Sequence, residues 1–322
     1  MLLDLLKEKR CFKLVCGAGN EDAQEVEKLV ALYSKAGCNL FDLSANLDII
    51  DAAKRGLEKA GIKEDRYICV SVGINGDPHV QKACINSDLC VNCGKCKIIC
   101  PQQAIKENAE AFKIDKSRCI GCGKCVSVCL NGAIQTKSES KNLKEVLPSL
   151  IEKGIDCIEL HASGTDESDV DEKWNDINSL YDGMLSICID RSKLSNEDVL
   201  KRINKMLRVR KPYTTIIQAD GCPMSGGKND YKTTLQAVAM AEIIDNANLP
   251  VFIMLSGGTN SKTSELAKLC EINCNGVAIG SFARQIVRKY IDRDDFLENA
   301  EVFNEALIAA KQLVDVSLKY LR

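Results

Sequence analysis

Eight cysteines between residues 90 and 129 repeat one spacing twice. The segments Cys90-Val-Asn-Cys93-Gly-Lys-Cys96-Lys-Ile-Ile-Cys100 and Cys119-Ile-Gly-Cys122-Gly-Lys-Cys125-Val-Ser-Val-Cys129 both have the form C-x2-C-x2-C-x3-C. Bacterial ferredoxins with two clusters use this run, and the fourth cysteine of each run binds the other cluster. The sequence therefore predicts two [4Fe–4S] clusters. Cluster one is expected on Cys90, Cys93, Cys96 and Cys129, and cluster two on Cys100, Cys119, Cys122 and Cys125.

Zinc and disulfide bonds are the alternatives for this many cysteines. Structural zinc sites use four ligands, commonly in two pairs, and do not explain two complete four-cysteine runs. Disulfides are typical of small secreted proteins, whereas residues 1–10 have the pattern of an amphipathic helix rather than a signal peptide. We therefore expect iron–sulfur clusters in a cytoplasmic, reducing location. Gly94 and Gly123, within the two runs, allow the backbone to approach the cluster sulfides.

The overall composition argues against two classes of partner. The chain has 43 basic and 45 acidic residues, a net charge of −2, and no basic stripe of the kind that binds nucleic acid. No apolar run is long enough to predict a membrane span. We expect the partners to be a redox protein or a small-molecule electron donor, and a small-molecule substrate or ligand.

Short apolar strands alternate with amphipathic helices on both sides of the cysteine-rich block. Each of eight predicted strands is followed by a helix, which is typical of an α/β protein with a parallel sheet. Without the block, about 250 residues remain, the usual size of a (β/α)8 TIM barrel. An open, doubly wound sheet is the alternative. The predicted strands span residues 12–16, 39–43, 67–72, 156–161, 184–190, 214–218, 251–255 and 276–280.

The cysteine-rich block interrupts this alternation after the third strand. We predict a ferredoxin-like insertion over residues 76–138, with the barrel formed by residues 1–75 and 139–322. Loops that follow strands lie on the C-terminal face of a TIM barrel, which carries the active site. The clusters are therefore expected at the mouth of the barrel.

The loops after the seventh and eighth predicted strands are rich in glycine. Barrels often bind phosphate with these two loops and a helix N-terminus, and an arginine adds charge-assisted hydrogen bonds. The alternative is that the glycines only form tight turns. The predicted phosphate-binding residues are Gly257, Gly258, Asn260, Gly280, Ser281 and Arg284.

Flavin mononucleotide is the phosphate-bearing cofactor that these loops suggest, because flavins connect one-electron clusters to two-electron chemistry. Many flavin barrels place a lysine from a central strand against the flavin ring. Here the fourth to sixth strands end in His161, Asp190 and Gln218 instead. The sequence therefore leaves the flavin open.

Three ionisable residues are predicted to position or protonate a substrate. Asp220 and Lys228 lie in the long loop after the sixth strand, with Cys222 and Ser225 between them, and His161 ends the fourth strand. Histidine is the usual general acid or base near neutral pH, although a purely structural histidine is the alternative. We predict Asp220, His161 and Lys228 as the catalytic residues.

Several of these motifs are similar to those of the light-dependent period protein family. The resemblance covers nearly the whole chain and includes the double ferredoxin run. The family is known from cyanobacteria as an iron–sulfur protein linked to redox input to the circadian clock, which implies redox sensing or redox catalysis without naming a reaction. The similar segments are Phe12-Lys-Leu-Val-Cys-Gly-Ala18, Gln218-Ala-Asp-Gly-Cys-Pro-Met-Ser-Gly226, Ser256-Gly-Gly-Thr-Asn260 and Gly276-Val-Ala-Ile-Gly-Ser-Phe-Ala-Arg284.

Two functions agree with these features. The first is an iron–sulfur reductase that passes electrons from two clusters to a flavin or another phosphate-bearing ligand in the barrel mouth. The second is a non-catalytic electron carrier or redox sensor. Converging Asp, His and Lys residues favour the first, and the missing flavin-type lysine favours the second.

Overall fold

The computed structural model describes residues 1–17, 19–62, 64–74, 81–108, 111–138, 142–164, 166–221 and 228–321. Eight parallel strands within these ranges form a closed barrel. The predicted (β/α)8 barrel is confirmed, and an open sheet is excluded because the first and last strands pair with each other. The barrel strands are β1 (Cys11–Val15), β2 (Leu40–Ser44), β3 (Tyr67–Gly73), β8 (Cys157–His161), β9 (Met184–Ile189), β10 (Thr215–Asp220), β11 (Phe252–Ser256) and β12 (Gly276–Ile279); β4 to β7 belong to the insertion.

Helices cover the outside of the barrel, and local sequence signals mark their ends. Ser195 accepts a hydrogen bond from the backbone N–H of Asp198 at 3.1 Å, which caps the start of one helix. Gly37 ends another helix in the left-handed conformation. The helices outside the insertion are α1 (Leu2–Lys7), α2 (Ala23–Ala36), α3 (Leu47–Ala60), α6 (Leu143–Glu152), α7 (Glu167–Leu180), α8 (Asn196–Leu207), α9 (Tyr231–Asn246), α10 (Thr263–Leu269), α11 (Ser281–Ile291) and α12 (Ala300–Lys319).

Alternation along each strand separates the two sides of the barrel wall. In β1, Phe12 and Leu14 pack outward against the helices, because neighbouring strand residues point to opposite faces. Helix α1 covers the lower end of the barrel, where Leu2 and Leu6 pack in one buried cluster with Cys11. The lower end is therefore closed by apolar side chains, and the polar residues lie at mid-height and at the mouth.

The cysteine-rich block is closed by its own antiparallel strands. Strand β4 (Gln81–Ile85) pairs with β7 (Ile134–Ser138), and β5 (Ile105–Lys106) pairs with β6 (Lys113–Ile114). Between them lie two short helices, α4 (Lys95–Ile99) and α5 (Lys124–Ser127), each of which begins after a glycine in the left-handed conformation. The insertion follows β3, so it lies over the mouth of the barrel.

Buried polar contacts hold the insertion against the barrel. The ammonium group of Lys82 donates to the backbone oxygens of Lys116 at 2.9 Å and Cys119 at 2.8 Å, and to that of Gly19 in the barrel. The backbone N–H of Glu21 donates to Ser117 O at 2.7 Å. These bonds fix the second cysteine run against the loop that follows β1.

The domain limits at 75/76 and 138/139 adjoin residues 75–80 and 139–141, which lie outside the described residues, and they stay a prediction. Within the described chain, no helix has the length and apolar character needed to cross a membrane.

Candidate functional site

Four cysteines of the predicted cluster-one set line a single cavity in the insertion. Cys93 is exposed, Cys96 is buried, and Cys90 and Cys129 are half-buried. Phe112 contributes an apolar wall to the same cavity. The fourth cysteine comes from the second run, as the exchange of ligands between the runs requires. The complete predicted set is Cys90, Cys93, Cys96 and Cys129.

A second cavity collects the predicted cluster-two set in the same way. The backbone N–H of Ala104 donates to Cys100 Sγ at 3.3 Å, and that of Ala83 donates to Cys119 Sγ at 3.4 Å. N–H···S bonds of this kind stabilise thiolate and tune cluster potentials. Burial raises the pKa of the metal-free Cys125 thiol to about 11. A metal binds the deprotonated thiolate, so metal binding would favour loss of this proton. The complete set is Cys100, Cys119, Cys122 and Cys125.

The donor chemistry of both cavities fits iron–sulfur clusters. Each presents four sulfur atoms and largely apolar surroundings, and thiolates are the ligands that such clusters use. The left-handed Gly94 and Gly123 lie at the same place in both runs, each just before a short helix. The two cavities are therefore related by the sequence repeat and differ in exposure.

The second cavity adjoins a third, which lies in the mouth of the barrel. Ile120, between the predicted cluster ligands Cys119 and Cys122, lines both cavities. The barrel cavity has about 710 Å³ of empty space, including the part open to solvent. Its wall combines backbone and polar side chains from seven of the eight strands or their loops, among them Asp42, His161 and Gln218.

Two of the three predicted catalytic residues lie in this wall. Asp220 and His161 both line the cavity and are more than nine-tenths buried. Cys188 also lines it, and its thiol donates to Asp220 Oδ2 at 3.4 Å. Lys228 is exposed and is not among the residues that line the cavity. Residues 222–227, which include Cys222 and Ser225, lie outside the described residues.

The predicted phosphate loops form one end of the cavity. Gly280 and Ser281 begin α11, and within the described chain no side chain caps this helix start. Its free N–H groups and helix dipole therefore favour an anion. Arg284 is 3% exposed, lines the same end and donates to the backbone oxygen of Cys16, while its Nε has no hydrogen-bond partner among the described residues.

Gly257 and Asn260 support this end in different ways. A Cβ atom on Gly257 would overlap the carboxylate of Asp220, so glycine is needed to admit that side chain. Asn260 is buried and does not line the cavity; its amide donates to the backbone oxygens of Lys228 at 3.1 Å and Asp230 at 2.8 Å. Asn260 thus ties the loop after β10 to the loop after β11.

A buried charged network that the sequence analysis missed lies at the bottom of the cavity, where Asp42, Glu159 and Gln218 line it. Lys13 Nζ lies 2.7 Å from Glu159 Oε2 and 3.6 Å from Asp42 Oδ2, and it donates to Gln218 Oε1 at 2.9 Å. Glu159 also accepts from Ser186 at 2.7 Å. The available signal was a single lysine at an inward-facing position of an otherwise apolar strand, where barrels usually have branched apolar residues.

Electrostatics within this network are set by burial and by the Lys13 charge. Burial opposes a charged Lys13, but Asp42 and Glu159 outweigh it and hold the pKa of the ammonium well above its usual range. Burial also opposes a charged Glu159, but Lys13 and the His161 hydrogen bond hold the pKa of this carboxyl well below its usual range. Burial, with Glu159 nearby, raises the pKa of Asp42.

Ligand atoms of Glu159, His161 and Cys188 lie within 4.8 Å of one another, an arrangement that can hold a metal ion. Glu159 is already bonded to Lys13 and Ser186, and the Lys13 ammonium lies 2.7 Å from its Oε2. A divalent cation would lie close to this positive charge and would have to compete with it. The group therefore serves better as a hydrogen-bonded floor for a ligand than as a metal site.

A closed (β/α)8 barrel with a cysteine-rich insertion over its mouth defines an iron–sulfur barrel protein. Residues 83–136 match the 4Fe-4S dicluster domain, which supports iron–sulfur cluster binding. Residues 149–316 match the light dependent period A C-terminal domain, more than half of the chain. The chain therefore belongs to the light dependent period A family, as its sequence motifs predict.

Known proteins of two kinds resemble the chain. Light dependent period A from Synechococcus elongatus is 27% identical over 97% of this chain and 92% of its own length. The YdjI aldolase from Escherichia coli K12 has a TM-score of 0.51 at 8% identity, covering 99% of this chain and 94% of that chain. A putative fructose-1,6-biphosphate aldolase from Coccidioides immitis has a TM-score of 0.49 at 11% identity, with 99% and 97% covered. At 8% identity the YdjI aldolase shows the barrel fold alone.

Proposed function

We propose that the chain is an iron–sulfur reductase with two [4Fe–4S] clusters. Electrons pass from cluster one to cluster two and then to a phosphate-bearing ligand in the barrel mouth. The observation that carries the proposal is the position of Ile120. This residue lies within the cluster-two ligand run and lines the barrel cavity as well, so electrons leaving cluster two have a short path to a ligand there.

The anion end supports a phosphate group on that ligand. The N-terminus of α11, with Gly280 and Ser281, would receive the phosphate, and the buried Arg284 would add a positive charge beside it. Gly258 lines the same end and has no side chain to keep a ligand from its backbone. These residues fit the phosphate of flavin mononucleotide, which supplies the change from one-electron to two-electron chemistry when bound.

The cavity offers a flavin ring a less specific environment than it offers the phosphate group. Among the described residues that line the cavity there is no lysine; Lys13 lies below the floor and is engaged by Glu159. The phosphate-bearing group is therefore either a flavin held mainly through its phosphate or the substrate itself.

Proton supply in a reduction would come from residues of the cavity floor. Asp42 lines the cavity, and burial raises the pKa of its carboxyl above the ordinary value. His161 Nε2 lies 3.4 Å from Glu159 Oε1, so the carboxylate determines which ring nitrogen carries a proton. Asp220, against Gly257 and Cys188, would orient the ligand next to the anion end.

Anaerobic purification tests this function directly. We expect about eight irons and eight sulfides per chain, together with a phosphate-bearing organic molecule in the acid-released fraction that mass spectrometry identifies. A released flavin would establish the reductase cofactor. About eight irons with no organic ligand, and no ligand binding on titration with flavin mononucleotide, would favour the electron carrier or redox sensor. Zinc in place of iron would contradict both.

A further inference from the structure

The insertion carries a large share of the exposed apolar side chains of the molecule. The described chain has fourteen exposed large hydrophobic residues, and six of them lie between residues 89 and 130. Contiguous exposed apolar patches on soluble proteins usually mark interaction sites. The six are Leu89, Val91, Ile98, Ile99, Val126 and Leu130.

Five of these residues surround cluster one and form what we term the cluster-one face: Leu89, Val91, Ile98, Ile99 and Leu130. Three of them line the first cysteine cavity itself, and the other two lie on α4, which also contains the ligand Cys96. Ile98 is 86% exposed and Leu130 is 84% exposed. Packing within the chain therefore leaves both side chains largely open to solvent.

The two clusters differ in how accessible they are to an external electron donor, and cluster one is the more accessible. The ligand Cys93 is exposed on the cluster-one side, whereas Cys119 and Cys125 in the second cavity are buried. The second cavity adjoins the barrel through Ile120. A donor protein therefore reaches cluster one first, and the cavity of cluster one shares no described lining residue with the barrel cavity.

The insertion that carries this face has an excess of positive charge. Residues 81–138 contain nine Lys and Arg residues and four Asp and Glu residues, although the whole chain has a net charge of −2. The clusters and their thiolates add negative charge inside the module, but six of its lysines are exposed at its surface. Lys95 and Lys97 are exposed on α4 beside Ile98, and Lys97 also pairs with the exposed Glu107 at 2.8 Å.

We propose that the cluster-one face docks an acidic one-electron carrier protein, which delivers electrons to cluster one. Apolar contacts supply the short-lived attachment, and the lysines attract the acidic partner, because complementary charge raises association rates. Redox complexes of this kind are small and transient, which agrees with a patch of a few side chains. In each delivery one electron leaves the reduced carrier and reduces one cluster. The docking role rests on the proposed electron path through the clusters.

Stopped-flow reduction by a reduced flavodoxin, an acidic one-electron carrier, tests the docking role. The full-length chain with reconstituted clusters is used, and the second-order rate constant is measured at several salt concentrations. The double variant Ile98→Ser/Lys97→Glu should lower this rate constant about tenfold. Rising salt should lower the wild-type rate and have little effect on the variant.

Matched controls separate docking from damage to the clusters. Leu269→Ser/Lys232→Glu makes the same changes at exposed positions of the barrel, where Leu269 is 72% exposed, and should leave the rate unchanged. Iron content and reduction by dithionite should be the same in both variants, because neither Ile98 nor Lys97 lines the cluster-one cavity.

Three results would overturn the docking role. The first is an unchanged rate constant for reduction by flavodoxin in the Ile98→Ser/Lys97→Glu variant, and the second is an equal loss of this rate constant in the control variant. The third is a dimer in sedimentation that the Ile98→Ser/Lys97→Glu variant abolishes, since a second copy of the chain would then cover the face. Clusters that flavodoxin reduces in an Ile98- and Lys97-dependent way, but that never reduce a barrel ligand, would overturn the reductase and leave the docking role intact.

Discussion

Lys13 Nζ lies 2.7 Å from Glu159 Oε2, and both side chains are almost completely buried inside the barrel. The two residues come from β1 and β8, which are not neighbours, so the ion pair spans the interior at the bottom of the ligand cavity. Burying two charges is costly unless their geometry and hydrogen bonds are good. Here Gln218, Ser71 and Ser186 supply the additional hydrogen bonds, so the pair gives the cavity a rigid polar floor.

Replacing Lys13 by Met should destabilise the protein by about 3–5 kcal/mol, because it leaves the Glu159 carboxylate buried without its cation. The measurement is anaerobic urea unfolding followed by the fluorescence of Trp174, the single tryptophan, which is buried against α8. The double variant Lys13→Met/Glu159→Gln should recover most of the loss. Equal stability of wild type and Lys13→Met would show that the pair is not formed in solution.

The barrel and its insertion were predictable because their signals are local. Cysteine spacing determines which thiols face one cavity, and the alternation of apolar strands and capped helices predicts the barrel strands to within about two residues. The position of the insertion after β3 then places Cys119 near the mouth. None of these inferences requires knowledge of contacts between distant residues.

The polar network was not predictable in the same way. Lys13, Asp42 and Glu159 are separated by up to 146 positions in the sequence, and only the closure and register of the barrel bring them to one level. Asn260 shows the same limit. The sequence suggests an anion-binding amide, whereas in the structure its amide bonds the backbone of the neighbouring loop.

Gly258→Asp should weaken binding of flavin mononucleotide or inorganic phosphate at least about tenfold, because it places a carboxylate at the anion end. Gly258 has a φ of +77°, so any side chain adds backbone strain there. Gly258→Asn is the matched control, since it has the same size and the same strain without the charge. Isothermal titration measures both affinities. Unchanged affinity and iron content in Gly258→Asp would show that phosphate binds elsewhere.

Cys93→Ser should lower the iron content from about eight to about four atoms per chain, because it removes a ligand from cluster one and none from cluster two. Cys270→Ser is the control, since Cys270 is equally exposed but lies at the end of α10, away from both cysteine cavities. Iron and sulfide analysis with electron paramagnetic resonance after reduction distinguishes the two. Full iron content in Cys93→Ser would contradict the assigned ligand set.

Glu25 connects the barrel to the insertion and should make their attachment sensitive to acid. Its carboxylate pairs with Arg288 at 2.6 Å and with Arg118 of the insertion at 3.0 Å. Burial works against the charged form, but the arginines outweigh it and lower the pKa of Glu25 below its ordinary value of 4.5. A lowered pKa in the folded state means that the stabilisation is complete above about pH 4.5 and is lost as the pH falls through the folded value.

Glu25→Gln should therefore cost about 2 kcal/mol of unfolding free energy at pH 7, and the difference from wild type should shrink below pH 4.5. Glu27→Gln on the same helix is the control. Its partners Arg55 and Lys59 are half exposed, so the loss should be about 0.5 kcal/mol or less. Unfolding followed by Trp174 fluorescence at pH 7, 5 and 4 measures both variants. A Glu25→Gln loss that stayed constant down to pH 4 would show that the carboxylate charge does not hold the insertion in place.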